Sequence, residues 1–393
     1  MQIRIQLRPH NASVMLFIHG GGFLTGTAST DDYSGVVLAA TGDVIVVTIN
    51  YRLNFYGFLT TGDDDYPGNV GLFDQLEALK WVNKNIGVFN QLHLPRVPQN
   101  SGMLTIMGPS CKTYNNVSAA WITVYPAPVV DGIFIKSSPE ILIRNGDFKT
   151  QATIIVGTNK DEGTLAYLVL PDYQKPSTPN VSKSEFLNLI PTAFVPIKEA
   201  SNPHILDAIY FEYTDWSQSD DPEASYFNSG VRLATDFQFL CPSDAVQHAH
   251  FSVGNKVFVY LMTHIPKVSV FDAYNEYDLP WIGAGHGEEL QFVFGFPFLN
   301  GSSTYSLEQP SDTDRNVSVE FMRYWTNFAK TGDPNTRGNE TSDHSFDKDL
   351  AVWPEFTIPE LNYIDINPTS SSERAYRADK CAFWSTYEPK LEQ

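Results

Sequence analysis

The chain is poor in positive charge. Its 393 residues carry 26 Lys and Arg against 45 Asp and Glu, a net charge of −19. That imbalance argues against nucleic acid or an anionic membrane as a partner, because both demand basic patches. It suits solubility, and equally a cleft that focuses its field on cationic ligands. Long apolar runs are lacking too: the longest clean stretch is Val44 to Thr48 with its neighbours, far short of the ~18 residues of a membrane span. The start, Met1-Gln-Ile-Arg-Ile-Gln, has no signal-peptide pattern. Yet six Asn-x-Ser/Thr sequons stand at Asn11, Asn116, Asn180, Asn300, Asn316 and Asn339. They point to a secreted glycoprotein whose true beginning lies upstream. Cysteine is scarce as well. The three cannot all pair: Cys241 and Cys381 either form a bridge closing a long loop or remain buried thiols, with Cys111 left over. No internal repeat, low-complexity tract or boundary signal divides the chain, so one domain over 1–393 is expected.

What is present reads as an α/β protein. Val14-Met-Leu-Phe-Ile18 and Val44-Ile-Val-Val-Thr-Ile49 are continuous apolar runs of the kind found in parallel strands buried on both faces. Asp31 to Thr41, between them, is helical or irregular. Leu72, Leu76, Leu79, Trp81 and Val82 recur at near-helical spacing over Leu72 to Ile86. Strand, crossover, strand and helix imply a sheet flanked by helices. Further along, Thr153-Ile-Ile-Val-Gly157 and Lys256-Val-Phe-Val-Tyr-Leu-Met262 predict strands. Pro171 to Ser184 predicts a loop, and Glu320 to Lys330 a helix stopped by Gly332-Asp-Pro334. Between Asn90 and Pro128 the pattern dissolves, and only Met103 to Met107 looks like a strand.

Three loop segments carry chemistry-bearing residues in a telling order. His19-Gly20-Gly21-Gly22 follows the first strand, where side-chain-free backbone N–H groups can converge on an oxyanion. Alone, such a triplet is more often a tight turn. Glu162 follows the Thr153–Gly157 strand, where α/β folds place site residues. His286 lies in Gly283-Ala-Gly-His-Gly287. Alone, these would be a solvated acid and a surface histidine. Acid before histidine is the chain order of α/β-hydrolase triads. His248-Ala-His250 offers no third metal ligand at a recognisable spacing, and Gly283-x-Gly-x-Gly287 has no βαβ unit around it. Neither a metal nor a cofactor is expected.

Taken together, the motifs resemble those of the type-B carboxylesterase/cholinesterase family of α/β hydrolases. The supporting stretches are Phe17-Ile-His-Gly-Gly-Gly-Phe23, Asn50-Tyr-Arg52, Gly57-Phe-Leu59 and Gly68-Asn-Val-Gly-Leu-Phe-Asp-Gln75. They continue with Trp81 to Ile86, Pro128-Val-Val-Asp-Gly132, Gly157-Thr-Asn-Lys-Asp-Glu-Gly163 and His286-Gly-Glu-Glu-Leu-Gln-Phe-Val-Phe-Gly295. Phe328-Ala-Lys-Thr-Gly-Asp-Pro-Asn335 and Lys380-Cys-Ala-Phe-Trp384 complete them. The resemblance implies an α/β-hydrolase fold with a mostly parallel central sheet. It implies Glu162 as triad acid, His286 as base, Gly21 and Gly22 as oxyanion donors, and a Cys241–Cys381 disulfide. It further implies a small-molecule carboxylic ester as substrate and an extracellular setting. Phe23, Trp281 and Phe296 are candidates for lining an acyl or alcohol pocket, or equally for core packing.

The chain departs from the family's pattern at three places. No Gly-x-Ser-x-Gly occurs anywhere, and the only Gly-x-Ser triplets are Gly108-Pro109-Ser110 and Gly301-Ser302-Ser303. The family's sharp strand-to-helix turn, which exposes the nucleophile, is therefore missing. The family's N-terminal portion is also absent, and Trp81 to Glu162 is several dozen residues short for the family, so the fold is expected to be fragmentary at the N-terminus and over 90–123. Ser110, in Leu104-Thr-Ile-Met-Gly-Pro-Ser-Cys-Lys112, stands nearest the nucleophile slot. Against it, Lys112 replaces the second glycine, and Pro109 restricts Gly108 and removes a donor. Ser101, in Asn100-Ser-Gly102, follows no strand. Two readings follow: a serine esterase with acid and base retained but its nucleophile elbow lost, or a non-catalytic, cholinesterase-like binding or adhesion protein.

Overall fold

A computed structural model describes residues 2–4, 12–63, 65–90, 127–195, 202–271, 279–299, 309–337 and 350–391. The expected Met103–Met107 strand, Ser101, Ser110 and Cys111 lie outside them. The described residues fall into two compact units. One draws on described residues within 2–90, 127–154 and 290–353, the other on those within 155–289 and 354–391.

The first unit is built on a three-stranded sheet in the order β1-β3-β2. β1 (Gln2–Arg4) runs antiparallel to β3 (Val44–Ile49), and β2 (Ser13–Ile18) runs parallel to β3, pairing Ser13 with Val44 and Ile18 with Ile49. Every residue of β3 is buried. A β-branched run suits that place, because both faces must meet apolar partners. On one face Leu16, Ile18, Ile45, Val47 and Ile49 cluster with Phe58 and with Leu72, Val82 and Ile86 of the helix Val70–Asn90. The helix Val36–Gly42 packs on β3, and the helix Asp312–Thr331 packs on both that helix and β2. At Gly42 the two helices approach so closely that a Cβ would lie 2.2 Å from Thr326 Cγ2.

Asp312–Thr331 begins eight residues before the expected Glu320. Its N-cap, Ser311, forms a capping box with Asp314. The polar first turns carry no apolar period, so periodicity alone misses them, whereas the box supplies the start. Gly332, in the left-handed region, ends the helix as expected.

The second unit carries a sheet in the order β4-β5-β6-β7: β4 (Ile154–Asn159), β5 (Val257–Met262), β6 (Asn362–Ile366) and β7 (Ser371–Arg374). β5 and β6 are parallel, and β6 and β7 antiparallel. β2 pairs with β3, and β5 with β6, in parallel, and in each sheet an edge strand reverses, the α/β pattern expected from the sequence. The helical core here is aromatic, with Tyr167, Phe186, Phe194, Tyr213 and Phe227 buried together. Tyr167 and Phe194 close over Gly230, where a Cβ would lie 2.1 Å from the Tyr167 hydroxyl.

Helix Phe227–Thr235 runs through a wide turn at Asp236–Leu240 into helix Cys241–Ser252. Asp236 on that turn is fully buried and accepts hydrogen bonds from Arg377 and from the Tyr213 hydroxyl. A disulfide joins Cys241 to Cys381, which resolves the choice between bridge and free thiols. Helix Ala378–Ala382 is thus fixed to the unit by the covalent bond at Cys381 within it and by the ion pair of Arg377, its N-cap residue.

Candidate active site

β4 ends at Asn159 and delivers the turn Lys160-Asp161-Glu162-Gly163. Glu162 is 6% exposed. Its Oε1 accepts the Asn159 backbone N–H at 2.8 Å, and its Oε2 lies 2.7 Å from His286 Nδ1. A carboxylate only accepts, so Nδ1 carries the proton and Nε2 is left as the basic nitrogen. Sequence separates the two residues by 124 positions.

The turn bearing His286 is clamped to the acid turn by Asp161. Asp161 N–H donates to the Ala284 carbonyl at 2.9 Å, and Ala284 N–H returns to the Asp161 carboxylate at 3.0 Å. Gly283, at φ 67°, sits where a Cβ would approach the same carboxylate to 2.5 Å, so only glycine lets the turns close. Burial pushes the Asp161 carboxyl upward, against the pull of its Ala284 hydrogen bond. Gly163 N–H bonds Thr235 Oγ1 at 2.8 Å, anchoring the far side of Glu162 to helix Phe227–Thr235.

His286 is crowded by protein, with the Phe239 ring 4.9 Å away, yet 39% of its side chain stays open to solvent. Burial pushes its imidazole down. The Glu162 carboxylate, by charge and by hydrogen bond, and the Glu289 charge outweigh that and hold it above the ordinary histidine value. The neighbouring Glu288 is fully buried, accepting the Ser269 hydroxyl and the Val270 N–H.

In the first unit, β2 ends at Ile18 and the glycine loop follows. His19 is 2% exposed, stacks on Tyr51 at 4.7 Å and contacts the Gly20 carbonyl through Nδ1 at 2.8 Å. The Tyr51 hydroxyl donates to the His19 carbonyl at 3.0 Å. Gly21 (φ 111°), Gly22 (φ 60°) and Phe23 (φ 63°) turn left-handed in succession, and Leu24 and Thr25 N–H close the turn on the Gly21 carbonyl. At Gly21 a Cβ would meet the Thr25 carbonyl at 2.2 Å. Gly20 to Gly22 are exposed, and the Gly21 and Gly22 N–H groups make no hydrogen bond among the described residues. The loop holds two amides open to solvent, the state an anion receptor needs.

Other expected residues have other surroundings. Trp281 packs edge-on against Phe227 and donates to the Lys175 carbonyl. Phe296 is buried at 1% exposure, and Phe23 packs edge-on against Phe58. His248 pairs with Asp244, while His250 contacts Asn255.

The carboxylesterase family matches residues 5–91 and 111–384, leaving out the stretch that holds Gly108-Pro109-Ser110. The chain belongs to the carboxylesterase family. It is 29% identical over 455 aligned positions to an acetylcholinesterase of Bungarus fasciatus, covering 98% of this chain and 70% of that one. It is 30% identical over 460 to a cholinesterase of Mus musculus, with 98% and 71% covered. An alignment of 455 positions against 393 residues leaves dozens of positions in the relative with no counterpart here. Sequence reasoning passed over two residues of the site, Asn159 and Glu289. Asn159 sits at the C-terminal edge of β4, the signal that marked Glu162.

Proposed function

We propose that this carboxylesterase-family chain is built as a serine hydrolase of small carboxylic esters and retains the half of the machinery that moves the proton. In this reading His286 Nε2 takes the proton from an attacking hydroxyl, and Glu162 steadies the imidazolium that forms. Gly21 and Gly22 N–H groups hold the tetrahedral oxyanion, and His286 then returns the proton to the departing alcohol. Water repeats the cycle on the acyl-enzyme.

The observation that carries the reading is the 2.7 Å contact of a buried carboxylate with Nδ1 of a half-open histidine. Two turns closed on each other by Asp161 support it. Ser110 takes the nucleophile role in this proposal. Because no Gly-x-Ser-x-Gly turn presents that serine, turnover is expected near the residual level that oxyanion donors and binding alone sustain, ~10³–10⁴-fold over water. The reading makes both units parts of one domain, as the single family match running through both supports. The Cys241–Cys381 bridge and the sequons support an extracellular glycoprotein.

The absent elbow specifically favours a second reading, a cholinesterase-like protein that keeps the fold and binds without turnover. A fluorophosphonate probe separates the two. The purified protein is treated, digested and mapped: label on Ser110 supports the hydrolase, whereas a folded protein that takes no label leaves only the binding reading.

A further inference from the structure

Asn159 closes β4 three residues before Glu162 and is fully buried. Its backbone N–H donates to Glu162 Oε1 at 2.8 Å. Its side-chain Nδ2 donates to the Gly285 carbonyl at 2.8 Å and to Glu289 Oε2 at 2.6 Å. One residue thus touches the acid, the turn carrying His286 and a second carboxylate whose charge reaches the imidazole. Chemistry fixes the orientation of the amide. The Gly285 carbonyl can only accept, so Nδ2 faces it, and Oδ1 is left buried without a partner among the described residues.

We propose that Asn159 is a positioning residue of the acid–base pair, setting the distance between the strand end that bears Glu162 and the Gly285–His286 turn. Without Nδ2, two acceptors face each other across an empty donor position. The turn then relaxes, and the Nδ1 contact to Glu162 loosens. Glu289 is held in the same grip: burial and the Glu162 charge push its carboxyl upward, and the Asn159 hydrogen bond opposes them. The groups that bear on the imidazole charge are Glu162 and Glu289, with Phe239 against the ring.

The inference rests on the acid–base reading of Glu162 and His286, so the test reads the histidine directly as well as through reactivity. Nitrogen-15 NMR of His286 is followed against pH in the wild type, Asn159→Ala, Asn159→Ser and Glu289→Gln, with folding checked by near-ultraviolet circular dichroism. The wild type should show one neutral tautomer, protonated at Nδ1, and a midpoint above 6.5. Asn159→Ala should give mixed tautomers and a midpoint falling toward 6.5, and Asn159→Ser, keeping one donor, a smaller change. Any fluorophosphonate labelling should slow on the order of ten- to hundred-fold, the range known where a partner orienting a metal-bound histidine is removed.

A folded Asn159→Ala protein with the wild-type tautomer and midpoint overturns the proposal. If that variant does not fold, unchanged spectra in both Asn159→Ser and Glu289→Gln overturn it instead. The two readings fail separately. An unlabelled protein whose His286 depends on Asn159 loses the hydrolase reading alone, and a labelled one whose His286 ignores Asn159 loses the positioning role alone.

Discussion

Breaking the Asp236–Arg377 pair should cost far more than removing it altogether. Asp236 is fully buried and Arg377 keeps 19% of its side-chain surface exposed. Two guanidinium nitrogens, Nε at 2.6 Å and Nη2, together with the Tyr213 hydroxyl at 2.9 Å, converge on one carboxylate. Burial pushes the Asp236 carboxyl upward in spite of Arg377, while the Arg377 guanidinium is held charged above its ordinary value despite burial. Burial thus opposes the Asp236 charge while Asp236 favours the Arg377 charge, and the fork geometry satisfies both carboxylate oxygens. Arg377→Met strands a buried carboxylate and should lower stability by about 3–5 kcal/mol. Asp236→Leu with Arg377→Met exchanges the pair for apolar volume and should lie within about 1 kcal/mol of the wild type, or above it, with the typical gain in such exchanges about 1–4 kcal/mol. Guanidinium chloride melts of the wild type, the single variant and the double variant measure this, compared at a common slope. A single variant losing less than about 1 kcal/mol, or a double variant as unstable as the single, would refute the reasoning, since either result means the carboxylate is not desolvated.

Three further outcomes are expected. Replacing Cys241 and Cys381 by Ala opens a loop of 140 residues and should cost about 2–5 kcal/mol, read as a midpoint shift that reductant reproduces in the wild type. His286 has a folded value above its unfolded one, so the stabilisation from its Glu162 contact is complete below pH 6.5 and disappears as pH rises through the folded value. Melting temperature followed from pH 5 to 9 should therefore differ between the wild type and Glu162→Gln most at the acid end and least at the alkaline end. Gly157→Ala places a Cβ 2.1 Å from the Tyr260 ring, against an ordinary contact of 3.4–4 Å, and should cost about 1–3 kcal/mol. Shortening the ring with Tyr260→Leu in the same chain should recover part of that loss, and no recovery would locate the strain elsewhere.

The strands were legible because their signal is local. A β-branched run such as Val44–Ile49 satisfies itself only in a sheet covered on both faces, and the structure buries all six residues. Helix Asp312–Thr331 was legible only over its apolar half, since the Ser311–Asp314 box is a two-residue signal among many similar pairs. Trp281 and Phe296 fit a pocket or a core equally well as sequence, because ring size alone does not say what an aromatic touches. The structure packs Trp281 against Phe227 and buries Phe296.

By itself, the sequence determined the α/β class, the family, the motifs that hold Glu162, His286, Gly21 and Gly22, and the lack of a Gly-x-Ser-x-Gly turn. All of these are properties of short segments, where residue type and spacing carry the physics. Only the tertiary structure decided that Glu162 meets His286 and that Asn159 reaches Gly285 and Glu289. It also decided that Asp236 receives Arg377 across 141 residues. Such contacts depend on how the strands order and which turns close on which. A hydrogen bond sensitive to a few tenths of an ångström is fixed by the packing of both its elements, which neither segment encodes alone.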